Sequence, residues 1–196
     1  MEQTLLGLSK RLRLKRLERH HDRRSVQIAF SVINSAISIS LIGMAAHYAN
    51  SLLLFPSLGP TAFLVFVKPT APEAAPEYTT IGHLIGIFAG WLSLVCFGLE
   101  KAAPSLAAGD VTWQRVGAVA LSMALTTGLM VGFRKLHPPA CATTLIISLG
   151  FVREPAQFLF LVAGVALLAL QALAINRLAG LRYPFWQPTH PGKLVL

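Results

Sequence analysis

Apolar residues form four stretches that are long enough to cross a bilayer. They predict helices over residues 26–48, 81–99, 113–133 and 155–176. A helix rises 1.5 Å per residue, so about 20 residues cross a hydrocarbon core about 30 Å thick. No Asp or Glu lies inside any of the four, which argues against a cation pump driven by carboxylates. We expect an all-α membrane protein with four long transmembrane helices.

Two shorter apolar pieces, over residues 52–67 and 136–151, lie between the long stretches. One contains the turn Leu58-Gly59-Pro60-Thr61-Ala62 and the other opens on Leu136-His137-Pro138-Pro139-Ala140. Each piece follows one long span and precedes another. The order predicts two three-helix repeats, and because three crossings per repeat is an odd number, the repeats should be inverted. Short, Pro-interrupted segments at matching positions are typical of a transporter's binding site.

Charge is scarce and unevenly distributed. Only 13% of residues are charged, against about 25% in soluble domains. Eight of the 17 Lys and Arg residues lie within residues 1–24, beside the first span. Basic residues at this position indicate how the protein is oriented in the membrane, and they do not suggest a nucleic-acid interface. Six crossings put this segment, Arg134-Lys135 and the tail 181–196 on one side. We therefore predict cytoplasmic termini in the cell (inner) membrane, flanking a transmembrane domain over 25–180.

The proline turns suggest an anion site. Proline suits the first turn of a helix, and a helix start has unpaired N–H groups and about half a positive charge. Hydroxyls would add donors, and histidines near membrane depth are candidate titrating groups. The alternative is that the prolines only turn the chain at the membrane surface. The predicted anion-binding residues are Ser57, Gly59, Pro60, Thr61, His83, His137, Pro138, Pro139, Ala140, Thr143 and Thr144.

Other chemistry finds little support in the sequence. There is no Ser-His-Asp grouping, no paired carboxylates and no cluster at metal-ligand spacing, so we expect neither an enzyme nor a cofactor or metal site. His137 is the candidate for linking anion binding to proton uptake, in which case transport would rise as pH falls.

Small residues recur every four positions in two of the long spans. Such faces let helices approach closely in lipid. We expect them to pack helices within the chain, and the alternative is an interface in a homo-oligomer. One stripe is Gly82, Gly86 and Gly90, and the other is Ala120, Ala124, Gly128 and Gly132.

The run His137-Pro138-Pro139-Ala140, followed by Ala142-Thr143, resembles the signature of the HPP family of integral membrane proteins. The block from Phe55 to Ala62 and the pair Gly82-His83 resemble its other motifs, and the resemblance covers roughly residues 25–180. It implies four transmembrane segments and an association with nitrite transport. We therefore expect a transporter or channel for a small inorganic anion, with the bilayer and the anion as partners. The alternative is a non-transporting scaffold or accessory subunit.

Overall fold

The computed structural model describes residues 14–104 and 111–188. The predicted all-α fold with four long apolar helices is confirmed, and the described residues contain no strand. A 3₁₀ turn over Pro72–Ala74 precedes the third long helix. The α-helices are α1 (Leu14–His20), α2 (Arg23–Tyr48), α3 (Leu58–Val67), α4 (Pro76–Cys96), α5 (Trp113–Gly132), α6 (Ala140–Ser148) and α7 (Pro155–Leu178).

Local capping explains where the long helices begin. The Asp22 carboxylate accepts from the Ser25 amide at 2.8 Å at the start of α2. Proline occupies the first helical position of α4 and of α7, where its missing N–H is not needed. Helix α4 therefore begins at Pro76, five residues before the predicted Ile81, because this proline initiates the helix ahead of the apolar stretch.

The two ends of the described chain meet where α2 begins, which we call the proximal end of the helix assembly. The Leu14 amide donates to the carbonyl oxygen of Ala179, just after α7, at 2.9 Å. The Tyr183 hydroxyl donates to the carbonyl oxygen of Ala74 at 2.7 Å, so the start of α4 lies there too. The opposite end, where α2 finishes at Tyr48, is the distal end.

The first short segment passes through the whole assembly, although only its second half is helical. A Cβ atom on Gly164, near the middle of α7, would collide with the carbonyl oxygen of Leu53. Further along, the Asn176 side chain donates to the carbonyl oxygen of Val65 at 3.1 Å, near the proximal end of α7. Residues 49–57 therefore lead inward from the distal end, and α3 completes the passage.

The second short segment passes in the opposite direction. Lys135 Nζ lies 2.7 Å from Glu77 Oε2 at the proximal end, and at the distal end Arg115 Nη1 donates to the carbonyl oxygen of Ser148 at 3.1 Å. The described residues thus pass through the assembly six times, with the order long, short, long in each half. The inverted-repeat relation itself stays a prediction.

Helix α4 is the most buried of the long helices, and its glycines lie against α6. A Cβ on Gly86 would lie 2.8 Å from the Ala140 carbonyl oxygen, and one on Gly90 would lie 2.8 Å from Ile147 Cβ. Gly82 meets the Cβ of His137 in the same way, at 2.6 Å. Glycine is therefore needed along this face because any side chain would force the two helices apart.

The second small-residue stripe faces outward. A Cβ on Gly128 or Gly132 would meet no heavy atom within 4 Å, and Ala120 and Ala124 are exposed. The expected packing within the chain is therefore wrong for Ala124, Gly128 and Gly132, because a four-residue spacing marks a face without giving its direction. The inward face of α5 contains Ala118, Ser122, Thr126 and Met130.

The outer surface is apolar over the length of the long helices. On α2, six large aliphatic side chains are between 45% and 62% exposed. Uncovered apolar area of this extent is unfavourable in water but favourable against lipid tails. The chain is an integral membrane protein, and the bilayer covers this surface. These side chains are Ile28, Val32, Ile33, Ile37, Leu41 and Met44.

Candidate functional site

The starts of α3 and α6 meet inside the helix assembly. Ser57, at the N-cap of α3, and Thr143, in the first turn of α6, have hydroxyl oxygens 2.6 Å apart. Both side chains are fully buried. The two proline turns therefore bring these hydroxyls together inside the helix assembly, where the hydroxyls bond to each other.

His83 of α4 joins the two helix starts. Its Nε2 lies 3.1 Å from Thr61 Oγ1 of α3, and its Nδ1 lies 2.7 Å from Thr143 Oγ1 of α6. The ring of Phe55 meets the imidazole edge-on, with 6.3 Å between centroids. His83 is 1% exposed, so both of its nitrogens depend on these hydroxyls for hydrogen bonds.

The directions of these bonds follow from one carbonyl group. The Thr61 hydroxyl donates to the carbonyl oxygen of Ser57 at 2.8 Å, since a carbonyl only accepts. Thr61 can then accept from Nε2–H of His83, whose Nδ1 in the neutral ring accepts from Thr143. Thr143 in turn accepts from the Ser57 hydroxyl. We call this closed circuit of Ser57, Thr61, His83 and Thr143 the polar ring.

His137 lies at the edge of the polar ring. Its Nδ1–H donates to the carbonyl oxygen of Glu73 at 2.8 Å, which leaves Nε2 as the acceptor of a neutral imidazole. Nε2 lies 3.4 Å from Thr61 Oγ1, but the proton of that hydroxyl goes to Ser57. Within the described part of the chain, Nε2 has no other hydrogen-bond partner. Protonation would turn this nitrogen into a donor that faces Thr61.

The expected unpaired backbone N–H groups are not found at either helix start, and that prediction was wrong. The turn before each helix supplies carbonyl oxygens, and the prolines have no N–H to offer. The donors that remain are therefore hydroxyls and imidazoles, beside the partial positive charge of each helix start. The paired amides are those of Leu58 (to Phe55), Gly59 (to Pro56), Ala140 (to His137), Cys141 (to Pro138) and Ala142 (to Pro139).

Several predicted residues lie near the polar ring without joining it. Thr144 Oγ1 lies 2.8 Å from the hydroxyl of Thr126 on α5, away from the ring. Gly59, Pro60 and Pro138 are exposed on the outer side of the two turns, whereas Pro139 and Ala140 are buried. An open groove of about 620 Å³ runs beside Pro60 and Pro138 on that outer side.

Two polar features were missed from the sequence. Thr126 belongs to a run of small and hydroxyl residues on α5, and that run was the available signal. Arg115 is only 3% exposed and donates to the carbonyl oxygens of Ser148 and Ala103. Its charge therefore stabilises the C-terminal end of α6, and a lone arginine inside a predicted span was the signal for it. Across residues 14–104 and 111–188, no three His, Cys, Asp or Glu side chains are placed to hold a metal ion.

Comparison with known proteins decides the family. The sequence model described as "HPP, transmembrane region" matches residues 20–184, which include the whole polar ring and His137. The chain belongs to the HPP family. No solved structure shows a significant match to this HPP protein.

Two curated relatives are similar to this HPP protein, and both are named only as transmembrane proteins of Dictyostelium discoideum. One is 28% identical over 150 residues, covering 71% of this chain and 49% of the relative. The other is 28% identical over 171 residues, covering 82% of this chain and 51% of the relative. The chain thus spans about half the length of the curated relatives it matches.

Proposed function

We propose that this HPP protein is a transporter or channel for a small inorganic anion such as nitrite, and that the polar ring binds the anion. One observation supports this most strongly: three hydroxyls and an imidazole converge where two short helices begin, inside an apolar assembly. Polar groups inside a membrane protein are costly, and they often mark the pathway of a substrate.

The chemistry of the polar ring suits an anion better than a cation. Its side chains are neutral donors and acceptors, and no carboxylate takes part. An incoming oxyanion would accept from the Ser57 and Thr143 hydroxyls and break the 2.6 Å bond between them. The partial positive charges of two helix starts favour negative charge at that position. Binding therefore requires a local separation of α3 from α6.

His137 supplies a route to proton coupling in this proposal. Its Nε2 faces the polar ring and lacks a donor of its own in the neutral state. A proton there would add both a positive charge and an N–H donor beside the anion. Anion binding and proton uptake would then favour each other, because the bound anion stabilises the protonated imidazole and the protonated imidazole stabilises the bound anion.

Flux through liposomes that contain only this protein tests the proposal. Nitrite, nitrate, formate and chloride form the panel, and Thr61→Val is the test variant because it removes the hydroxyl that joins α3 to His83. Thr126→Val is the matched control, since it removes a buried hydroxyl that bonds to Thr144 outside the ring. We expect saturable anion flux that Thr61→Val lowers about tenfold or more, by loss of about 1.4 kcal/mol of binding, and that Thr126→Val largely keeps.

A scaffold or accessory subunit is the alternative, and the outward stripe of small residues on α5 favours it. Gly128 and Gly132 leave open space where a second helix could approach. Absence of saturable flux for every anion in the panel, together with a stable homo-oligomer in detergent, would support this function over transport. In either case we propose a non-enzymatic membrane protein whose proximal end is cytoplasmic, because the basic residues concentrate there.

A further inference from the structure

A pocket of about 470 Å³ opens at the proximal end, between α1, the first turns of α2 and the turn that follows α3. Three cationic side chains line it, those of Lys15, Arg23 and Lys68, against the single carboxylate of Glu18. We call it the basic pocket. It lies on the outer side of the assembly and takes no part in the polar ring.

The single carboxylate is already engaged. Glu18 Oε1 accepts from the side-chain amide of Gln27 at 3.1 Å and lies 3.9 Å from Arg23 Nε. No carboxylate within the described ranges lies at salt-bridge distance from Lys15 or Lys68. The basic pocket therefore keeps an excess of positive charge that a ligand with a phosphate group would neutralise.

The walls of the pocket change from charged to apolar with depth. Arg23 opens α2, and Phe30 follows seven residues later, about 10 Å further along the helix. Phe66 of α3 packs edge-on against Phe30, with 6.4 Å between the ring centroids. The cations thus lie at the mouth of the pocket, and the two aromatic rings form its apolar floor. Charge over an apolar floor is the pattern that an amphiphile requires.

We propose that the basic pocket binds one anionic phospholipid from the proximal leaflet. Lys15, Arg23 and Lys68 would hold the headgroup phosphate, and an acyl chain would lie against Phe30 and Phe66. Such a lipid would fasten α1 to α2 and α3, the elements that surround it. A free phosphate group carries the same charge but makes no contact with the apolar floor. At equal concentration it should therefore bind more weakly than the phospholipid.

Native mass spectrometry of the full chain in detergent tests the proposal, with phosphatidylglycerol and phosphatidylcholine of identical acyl chains as probes. The test variant is Lys15→Gln/Arg23→Gln/Lys68→Gln. The matched control is Arg16→Gln/Arg19→Gln/Arg24→Gln, which removes the same charge from the same region at side chains that do not line the pocket. The three control positions thus report on the general attraction of this basic region to anionic lipid.

We expect retained phosphatidylglycerol to fall about tenfold or more in the pocket variant and much less in the control. Lys68→Gln alone, which changes a residue outside any helix, should give a smaller loss in the same direction and guards against misfolding of the triple variant. Three outcomes would each overturn the proposal. They are an equal loss of phosphatidylglycerol in both triple variants, retention of phosphatidylcholine equal to that of phosphatidylglycerol, and displacement of the lipid by equimolar glycerol 1-phosphate. So would a dimer that only the pocket variant dissociates, since a second copy would then be the occupant.

Discussion

The hydroxyl oxygens of Ser57 and Thr143 lie 2.6 Å apart, although 86 residues separate them along the chain. One stands at the start of α3 and the other in the first turn of α6, so this buried bond joins the two halves of the molecule directly. Thr143 also bonds to His83 of α4. This pair therefore connects three helices at the centre of the polar ring.

The destabilisations caused by removing each hydroxyl alone should add up to more than the destabilisation caused by removing both. Ser57→Ala or Thr143→Val leaves a buried partner without its hydrogen bond, at a cost of about 1–3 kcal/mol. In the double variant both hydroxyls are absent, so neither remains buried without the other as its partner. We therefore expect a coupling free energy of about 1 kcal/mol between the two positions. SDS unfolding in mixed micelles measures it. Strict additivity of the two single variants would contradict a direct bond.

Two glycine-to-alanine changes should have opposite outcomes. Gly86→Ala puts a methyl group 2.8 Å from the backbone oxygen of Ala140, and neither backbone can yield without separating α4 from α6. Gly128→Ala meets no heavy atom within 4 Å. Both changes gain helix propensity equally, so we expect a loss of about 1–3 kcal/mol for the first and none for the second. Equal unfolding midpoints would show that α4 and α6 are not in close contact.

The existence of the four long helices and some of their ends could be predicted because hydropathy and length determine them, although α4 begins five residues before its predicted start. The predicted end of the first span, Tyr48, and the start of the last, Pro155, are those of α2 and α7. A spanning helix makes its backbone hydrogen bonds within the segment, so an apolar stretch of sufficient length is enough to predict it. The short helix α3 begins six residues later than the predicted apolar piece, at Leu58, because residues 51–57 form turns that hydropathy does not distinguish from helix.

The contents of the site were predictable, whereas its hydrogen bonding was not. The sequence grouped Thr61, His83, His137 and Thr143 as candidate binding residues, since proline turns placed the two helix starts at matching positions and the histidines lie near apolar sequence. It could not show that the amides there are paired with carbonyl oxygens of the preceding turns. That pairing depends on the path of a few residues before each helix, and composition does not specify it.

Cysteine labelling of intact cells should find the proximal end inside. In a background without Cys96 and Cys141, Lys68→Cys reports on the proximal end and Tyr48→Cys on the distal end. Tyr48 is 85% exposed and Lys68 is also exposed. Because basic residues favour the cytoplasmic side, an impermeant maleimide should label position 48 and leave position 68 unreacted until the cells are opened. The reverse pattern would invert the proposed orientation.

Proton coupling predicts a specific change in the pH profile of flux. A bound anion favours the protonated form of His137, and protonation becomes easier as pH falls, so anion flux should grow as pH falls. His137→Gln keeps a donor for the Glu73 carbonyl but removes the titration, so flux should persist with a flattened profile between pH 5 and 8. His47→Gln, an exposed histidine near the distal end, is the control. His83 is the other titratable group beside His137, so an unchanged profile in His137→Gln would transfer the role to it.

The ion pair of Lys135 and Glu77 should be needed as a pair. Glu77 is only 7% exposed, and Lys135 also lies 4.7 Å from the centroid of the Tyr78 ring. Lys135→Met strands a largely buried carboxylate, which we expect to cost about 1–3 kcal/mol. Adding Glu77→Gln should recover part of that loss, because no unpaired charge then remains. If the second change lowers the unfolding midpoint further, the two side chains stabilise the fold independently.

The shortness of α6 constrains how the protein enters the bilayer. Its nine residues extend about 14 Å, less than half the thickness of the hydrocarbon core. Such a segment is a poor substrate for the insertion machinery by itself, and its non-helical approach has backbone groups that lipid cannot satisfy. The face of α4 that contacts this segment, at Gly82, Gly86 and Gly90, belongs to a helix that is synthesised earlier. We therefore expect the first half of the chain to act as a template on which the second half completes its insertion, so that substitutions on that glycine face should appear first as failed biogenesis.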